Sequence, residues 1–161
     1  MTDIVPSAKR SEMMAGIRGA NTRPEIVIRR MLFALGYRFR LHRRDLPGTP
    51  DIAMPSRKVA IFVQGCFWHL HTGCRYSKMP ATRQEFWKAK LERNAERDRE
   101  SAVRLSELGW RVLCVWECAT RDRELSANLA ETLSLWIESD SRVGEISAQS
   151  LRREVTFVRL S

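Results

Sequence analysis

The apolar positions of this chain first fall into a helical period after residue 22. Val27, Ile28, Met31, Leu32 and Leu35 recur at helical steps. Thr22-x-x-Glu25 has the spacing of a capping box ahead of them, and Gly36 is a natural stop. Residues 1–21 read as a polar, basic arm with few core-type residues beyond Met13, Met14 and Ile17. Three short strands are expected next, at about 37–41, 51–54 and 58–63, separated by LPGTP at 46–50 and PSR at 55–57. A long polar helix over about 82–108 opens at a second capping-box spacing, Thr82-x-x-Glu85, and closes at Gly109. Its apolar face carries Trp87, Leu91, Ala95, Ala102 and Leu105. WRVLCVW at 110–116 reads as a buried strand, and a helix near 122–138 completes the core. Residues 22–140 are expected to form the core domain. Residues 141–161 form its C-terminal tail, with one short strand at EVTFVRL. This order predicts an α/β fold, a mixed sheet with helices on both faces.

Composition narrows the function. The 161 residues suit one domain with a single core. Lys+Arg 28 against Asp+Glu 19 gives a net charge of +9, and arginine dominates. Arginine presents a planar fork suited to phosphates and guanine edges, so nucleic acid is the favoured partner. A solvated basic face with no dedicated partner is the alternative. No run approaches the ~18 apolar residues of a membrane span, and MTDIVPSAKR has no signal-peptide core, so a cytoplasmic protein is expected. In that compartment four cysteines either bind metal or sit reduced in the core.

The chemistry concentrates in QGCFWHLHTGC at 64–74. Cys66, His69, His71 and Cys74 lie close together there, and Cys118 can return to them if the strand before it neighbours 58–63. Cys114, inside that apolar strand, reads as core. Five candidates therefore compete for the four positions of a zinc site, and one histidine can be spare. A loop so rich in Gly, Thr, His and Cys has little means of ordering itself without a crosslink. A spare histidine on such a loop can act as a general base near neutral pH. Asp51, after Pro50, can hold magnesium, which uses one or two carboxylates with waters and phosphate oxygens. The Glu-x-Lys that commonly follows in nucleases is missing from Ala60-Ile61-Phe62-Val63.

Several motifs together carry a resemblance. In order they are Arg10-Ser11-x-x-Met14-x-x-Ile17-Arg18, Asn21-Thr22-x-Pro24-Glu25, Leu46-Pro47-Gly48-x-Pro50-Asp51 and Gly65-Cys66-Phe67-Trp68-His69-x-His71. Glu85-Phe86-Trp87, Asn94-x-x-Arg97-Asp98 and a run from Leu108 to Trp116-Glu117-Cys118 follow. From about residue 9 to 120 the chain resembles the very short patch repair (Vsr) DNA mismatch endonucleases. The resemblance implies a restriction-endonuclease-like fold. It also implies a magnesium-dependent nick 5′ of the thymine in a T:G mismatch, the lesion left when 5-methylcytosine deaminates.

By the family pattern, Asp51 and the main-chain carbonyl of Val63 bind magnesium, which makes the missing Glu-x-Lys unnecessary. His69 is the general base, and Cys66, His71, Cys74 and Cys118 hold a structural zinc. Phe67, Trp68 and Trp87 wedge beside the mismatch from the major groove, and Met14 enters from the minor-groove side. On the residues alone, Phe67 and Trp68 can equally pack over the zinc site, and Trp87 can belong to its helix's core face. Glu25 is either only the capping partner of Thr22 or a support of the active site. Gln64 departs from the family, which often has an ionisable residue such as His there. Glutamine can keep a hydrogen-bonding role but cannot exchange a proton. The implied setting is the bacterial cytoplasm, at the nucleoid, with mismatched duplex DNA as partner, mismatch-repair proteins in attendance and a monomer acting. A mismatch-binding module without catalysis and a restriction-type nickase are the alternatives.

Overall fold

In a computed structural model, the structure describes residues 20–159, with side chains through 153; Met14 and most of the basic arm lie outside the described residues. Five strands form one mixed sheet in the order β1-β2-β3-β4-β5. They are β1 (Arg40–Leu41), β2 (Ile52–Met54), β3 (Val59–Gln64), β4 (Arg111–Trp116) and β5 (Val143–Ile146). The first three run antiparallel to their neighbours, while β3, β4 and β5 are parallel. The helices are α1 (Arg23–Ala34), α2 (Gln84–Glu107), the single turn α3 (Cys118–Arg121), α4 (Ser126–Glu138) and α5 (Ala148–Arg159). This is the mixed α/β arrangement expected from the element order.

Alternation along β2 and β3 builds a core on each face of the sheet. Ile52, Met54, Val59, Ile61 and Val63 point to one side, where Ile28 and Leu32 of α1 and Leu129, Leu133 and Ile137 of α4 cover them. Ala53, Ala60 and Val112 point to the other, against Leu105 of α2 and Trp110. Both inner strands are hence buried almost throughout, which is why they read as unbroken apolar runs. Arg111 closes the C-terminus of α4, donating to the carbonyls of Ile137 and Ser139 at 2.8 Å each.

Three expectations change. The strand at 37–41 shrinks to Arg40–Leu41, because Tyr37 turns into the core with its hydroxyl on Glu138. The long helix starts without its Thr82 cap. Arg83, in the left-handed conformation, precedes it and no side chain caps it. In the tail, the described part of EVTFVRL, residues 154–159, belongs to α5 instead of a strand. There Ser147 and Ser150 cap the helix reciprocally, each hydroxyl accepting from the other's amide at 3.2 and 2.9 Å, and Leu151 anchors it in the core. The tail's strand is instead β5, at the sheet edge, where Val143 and Glu145 face solvent and give little apolar signal.

Candidate active site

β3 and β4 bring the functional residues to one end of the sheet. Their parallel pairing sets Gln64 opposite Trp116, and the amide of Glu117 donates to the carbonyl of Gln64 at 2.9 Å. The same register carries Cys66 and Cys118 out of the sheet side by side. The loop then folds on itself, with the amides of His69 and His71 donating to the carbonyls of Gly65 and Cys66 at 3.1 and 2.9 Å. Leu70 takes a positive φ of 55° within this turn.

The ligand atoms of Cys66, His71, Cys74 and Cys118 all lie within 4.8 Å of one another. Of the five candidates, His69 is the one left outside. All four cysteines are free thiols. Hydrogen bonding from Cys66 pulls the Cys118 thiol down to about 5, and the same bond together with burial pushes Cys66 up. The Cys118 sulfur also accepts from the Ala148 amide at 3.4 Å. Three sulfurs crowded around an imidazole can hold a metal ion, and the donor set suits tetrahedral zinc. The His71 ring is fixed by stacking on Trp116, with centroids 4.1 Å apart and planes 4° from parallel.

His69 turns the other way. Its Nδ1 lies 2.6 Å from Oδ2 of Asp98 on α2. One turn earlier on α2, Asn94 donates from Nδ2 to the carbonyl of Trp68 at 3.0 Å. The i, i+4 spacing puts both on one helix face, so α2 grips the loop at two successive residues. Beside His69, an open cleft of about 790 Å³ is lined by Gln64, Asp98, Cys114 and Trp116 among others. Cys114, expected in the core, is only half-buried there, and its thiol donates to Oε1 of Gln64 at 3.0 Å. Burial pushes that thiol's pKa up, which keeps it a donor.

Asp51 sits just before β2, and its Oδ2 accepts from the Val63 amide at 2.7 Å. Lys58 and Gln64 turn their carbonyls to β4, so strand alternation turns that of Val63 to the Asp51 side. Burial raises the Asp51 carboxyl to about 6; the nearby charge of Glu25 adds to the rise, while His42 and His69 oppose it. Glu25 is 2% exposed. It serves the cap, with Oε2 accepting from the Asn21 amide at 3.0 Å and the Thr22 hydroxyl 3.2 Å from Oε1. The same carboxylate also groups with His42 and Asp51, whose ligand atoms lie within 4.8 Å of one another. One carboxylate thus serves the cap and lies beside Asp51. Two carboxylates this close, with Asp51 largely desolvated and its pKa raised in part by the charge of Glu25, fit a divalent cation.

Phe67, Trp68 and Trp87 meet edge to face, with centroids 5.1, 5.5 and 6.0 Å apart. None belongs to either core cluster, so Trp87 packs on the loop and not in its helix's core face. Lys90 lies over both tryptophan rings at 5.6 and 5.7 Å.

A family model described as "DNA mismatch endonuclease Vsr" matches residues 2–75. The Vsr mismatch endonuclease of Escherichia coli K12 is 42% identical over 153 residues, covering 94% of this chain and 97% of its own. The chain belongs to the Vsr family. It is an endodeoxyribonuclease. A Xanthomonas oryzae relative named type II nicking enzyme V.XorIIP is 49% identical over 122 residues, 76% of this chain and 89% of its own. A similarly named Neisseria meningitidis protein, V.NmeAIP, is 36% identical over 125 residues, 78% of this chain and 89% of its own. Among the described residues of this Vsr-family chain, no helix is long and apolar enough to cross a membrane.

Three site residues were not foreseen from sequence. Asp98 and Asn94 form part of the motif Asn94-x-x-Arg97-Asp98, whose i, i+4 spacing was a usable signal. His42 gave none, since it stands in the polar stretch between β1 and the LPGTP turn.

Proposed function

We propose that this enzyme nicks duplex DNA 5′ of the thymine in a T:G mismatch. The observation that carries the reading is that one loop holds a histidine braced by Asp98 next to an aromatic trio, at the edge where Asp51 lies. With Nδ1 engaged by Asp98, the Nε2 of His69 is the atom that takes a proton from the attacking water. Magnesium, held by Asp51 and the Val63 carbonyl, would supply Lewis-acid stabilisation of the charge building on the phosphate. Glu25 and Asp51 provide its negative surroundings, and Gln64 contributes a hydrogen bond and no proton. Phe67, Trp68 and Trp87 press on the base stack, joined by Met14 of the basic arm from the other groove. Opening a step costs on the order of a few kcal/mol and costs less where pairing is faulty, so the wedge itself favours a mismatch. Zinc on Cys66, His71, Cys74 and Cys118 keeps the loop in shape. The enzyme acts as a monomer in the bacterial cytoplasm, ahead of mismatch-repair proteins.

Asp51→Ala tests the reading. The variant should bind a T:G duplex as tightly as the parent and leave it uncut; continued cutting would remove Asp51 from the chemistry. A second reading, a restriction-type nickase, draws support from the relatives named type II nicking enzymes. Nicking of a fully paired duplex at a fixed sequence would favour it. The pairing of Asp51 with His69 argues against a module that only binds.

A further inference from the structure

Nε2 of His42 lies 3.1 Å from Oε2 of Glu25 and 3.2 Å from Nη2 of Arg29, and Arg29 is itself 2.8 Å from the same carboxylate oxygen. The contacts leave the ring two states: with a proton on Nε2 it donates to Glu25 beside the Arg29 donor, and without one it accepts from Arg29 with its lone pair on the carboxylate side. In the second state an imidazole lone pair and two carboxylates form a set that a metal cation can share, and the ligand atoms of Glu25, His42 and Asp51 lie within 4.8 Å of one another.

We propose that His42 is a nitrogen ligand of the divalent ion at Glu25 and Asp51, so that this active site offers a mixed nitrogen and oxygen donor set. The inference rests on the reading of Asp51 as the metal-binding carboxylate and extends it by one ligand. Its consequence is selectivity. An all-oxygen site suits magnesium, whereas an imidazole donor adds affinity for transition metals, manganese included, relative to magnesium.

Pulsed electron paramagnetic resonance on the full-length, zinc-loaded protein without DNA reads the ligand directly, with manganese as the probe. The chain has three histidines, so the source of a nitrogen signal can be assigned by variants. The parent should show hyperfine coupling to an imidazole nitrogen. The coupling should survive in His69→Gln and vanish in His42→Gln, whose manganese Kd should rise by at least about tenfold, the lower end of what loss of a ligand's hydrogen-bond partner already costs. Asp51-dependent manganese binding with no nitrogen coupling, or coupling that persists in His42→Gln, would overturn the inference and leave the role of Asp51 standing. Manganese binding unchanged in Asp51→Asn would overturn both.

Discussion

Nδ1 of His69 lies 2.6 Å from Oδ2 of Asp98, and this contact ties the loop after β3 to the middle of α2. The carboxylate fixes the ring's tautomer and orientation, leaving Nε2 as the basic atom. Asp98→Asn keeps the size but loses the charge. It should lower the single-turnover nicking rate by on the order of a hundredfold, within the range a positioned general base contributes. A positioning role should also show as an altered pH profile of the nicking rate, while DNA binding stays level. An unchanged profile would reduce Asp98 to a structural contact.

Asp51 should make the metal-free protein less stable as pH rises. Its carboxyl titrates at about 6 in the fold against 3.8 in the open chain. Between those values the folded chain keeps a proton that the unfolded chain has lost. The stability this contributes is complete below pH 3.8 and is lost as pH rises through about 6. Above that, the buried charge costs on the order of a few kcal/mol. Asp51→Asn should therefore melt higher than the parent at pH 8 with chelator present, and the gap should narrow steadily towards pH 4.5. Magnesium should stabilise the parent and not the variant.

The cysteine and histidine cluster should act as a crosslink. Cys74→Ser removes one of its four candidate ligands. Its melting temperature should fall by on the order of 10 °C, with release of bound zinc measured by a colorimetric chelator. Because Phe67 and Trp68 leave the same loop, their fluorescence environment should change together with zinc content.

Gly48 precedes Asp51 by three residues in the turn that leads into β2. Its φ is +74°, and a Cβ there would come within 2.6 Å of the Ser101 Cβ on α2. Gly48→Ala should cost about 1–3 kcal/mol in urea unfolding through strain and overpacking. It should also lower nicking more than binding, since the shift falls next to Asp51.

Much of this was legible in the chain because the signals were local. Apolar runs marked β3 and β4, the capping box marked α1, and close spacing gathered Cys66, His71 and Cys74. What escaped depended on elements distant in sequence. Asp98 reaches His69 across 29 residues, and His42 reaches Glu25 across 17. Neither pairing has a period or spacing that a single helix or strand would impose. The tail misled for another reason. The β-branched residues of EVTFVRL favour a strand, but the reciprocal serine cap and the anchoring of Leu151 commit residues 154–159 to α5.

One gel tests mismatch-directed nicking. The purified protein is incubated with an end-labelled duplex carrying a single T:G mismatch, with magnesium or with EDTA, beside the same duplex paired T:A. The expected result is one magnesium-dependent nick 5′ of the mismatched thymine and none in the T:A duplex. Equal cutting of both duplexes, or binding to the mismatch without a nick in any sequence context, would contradict it.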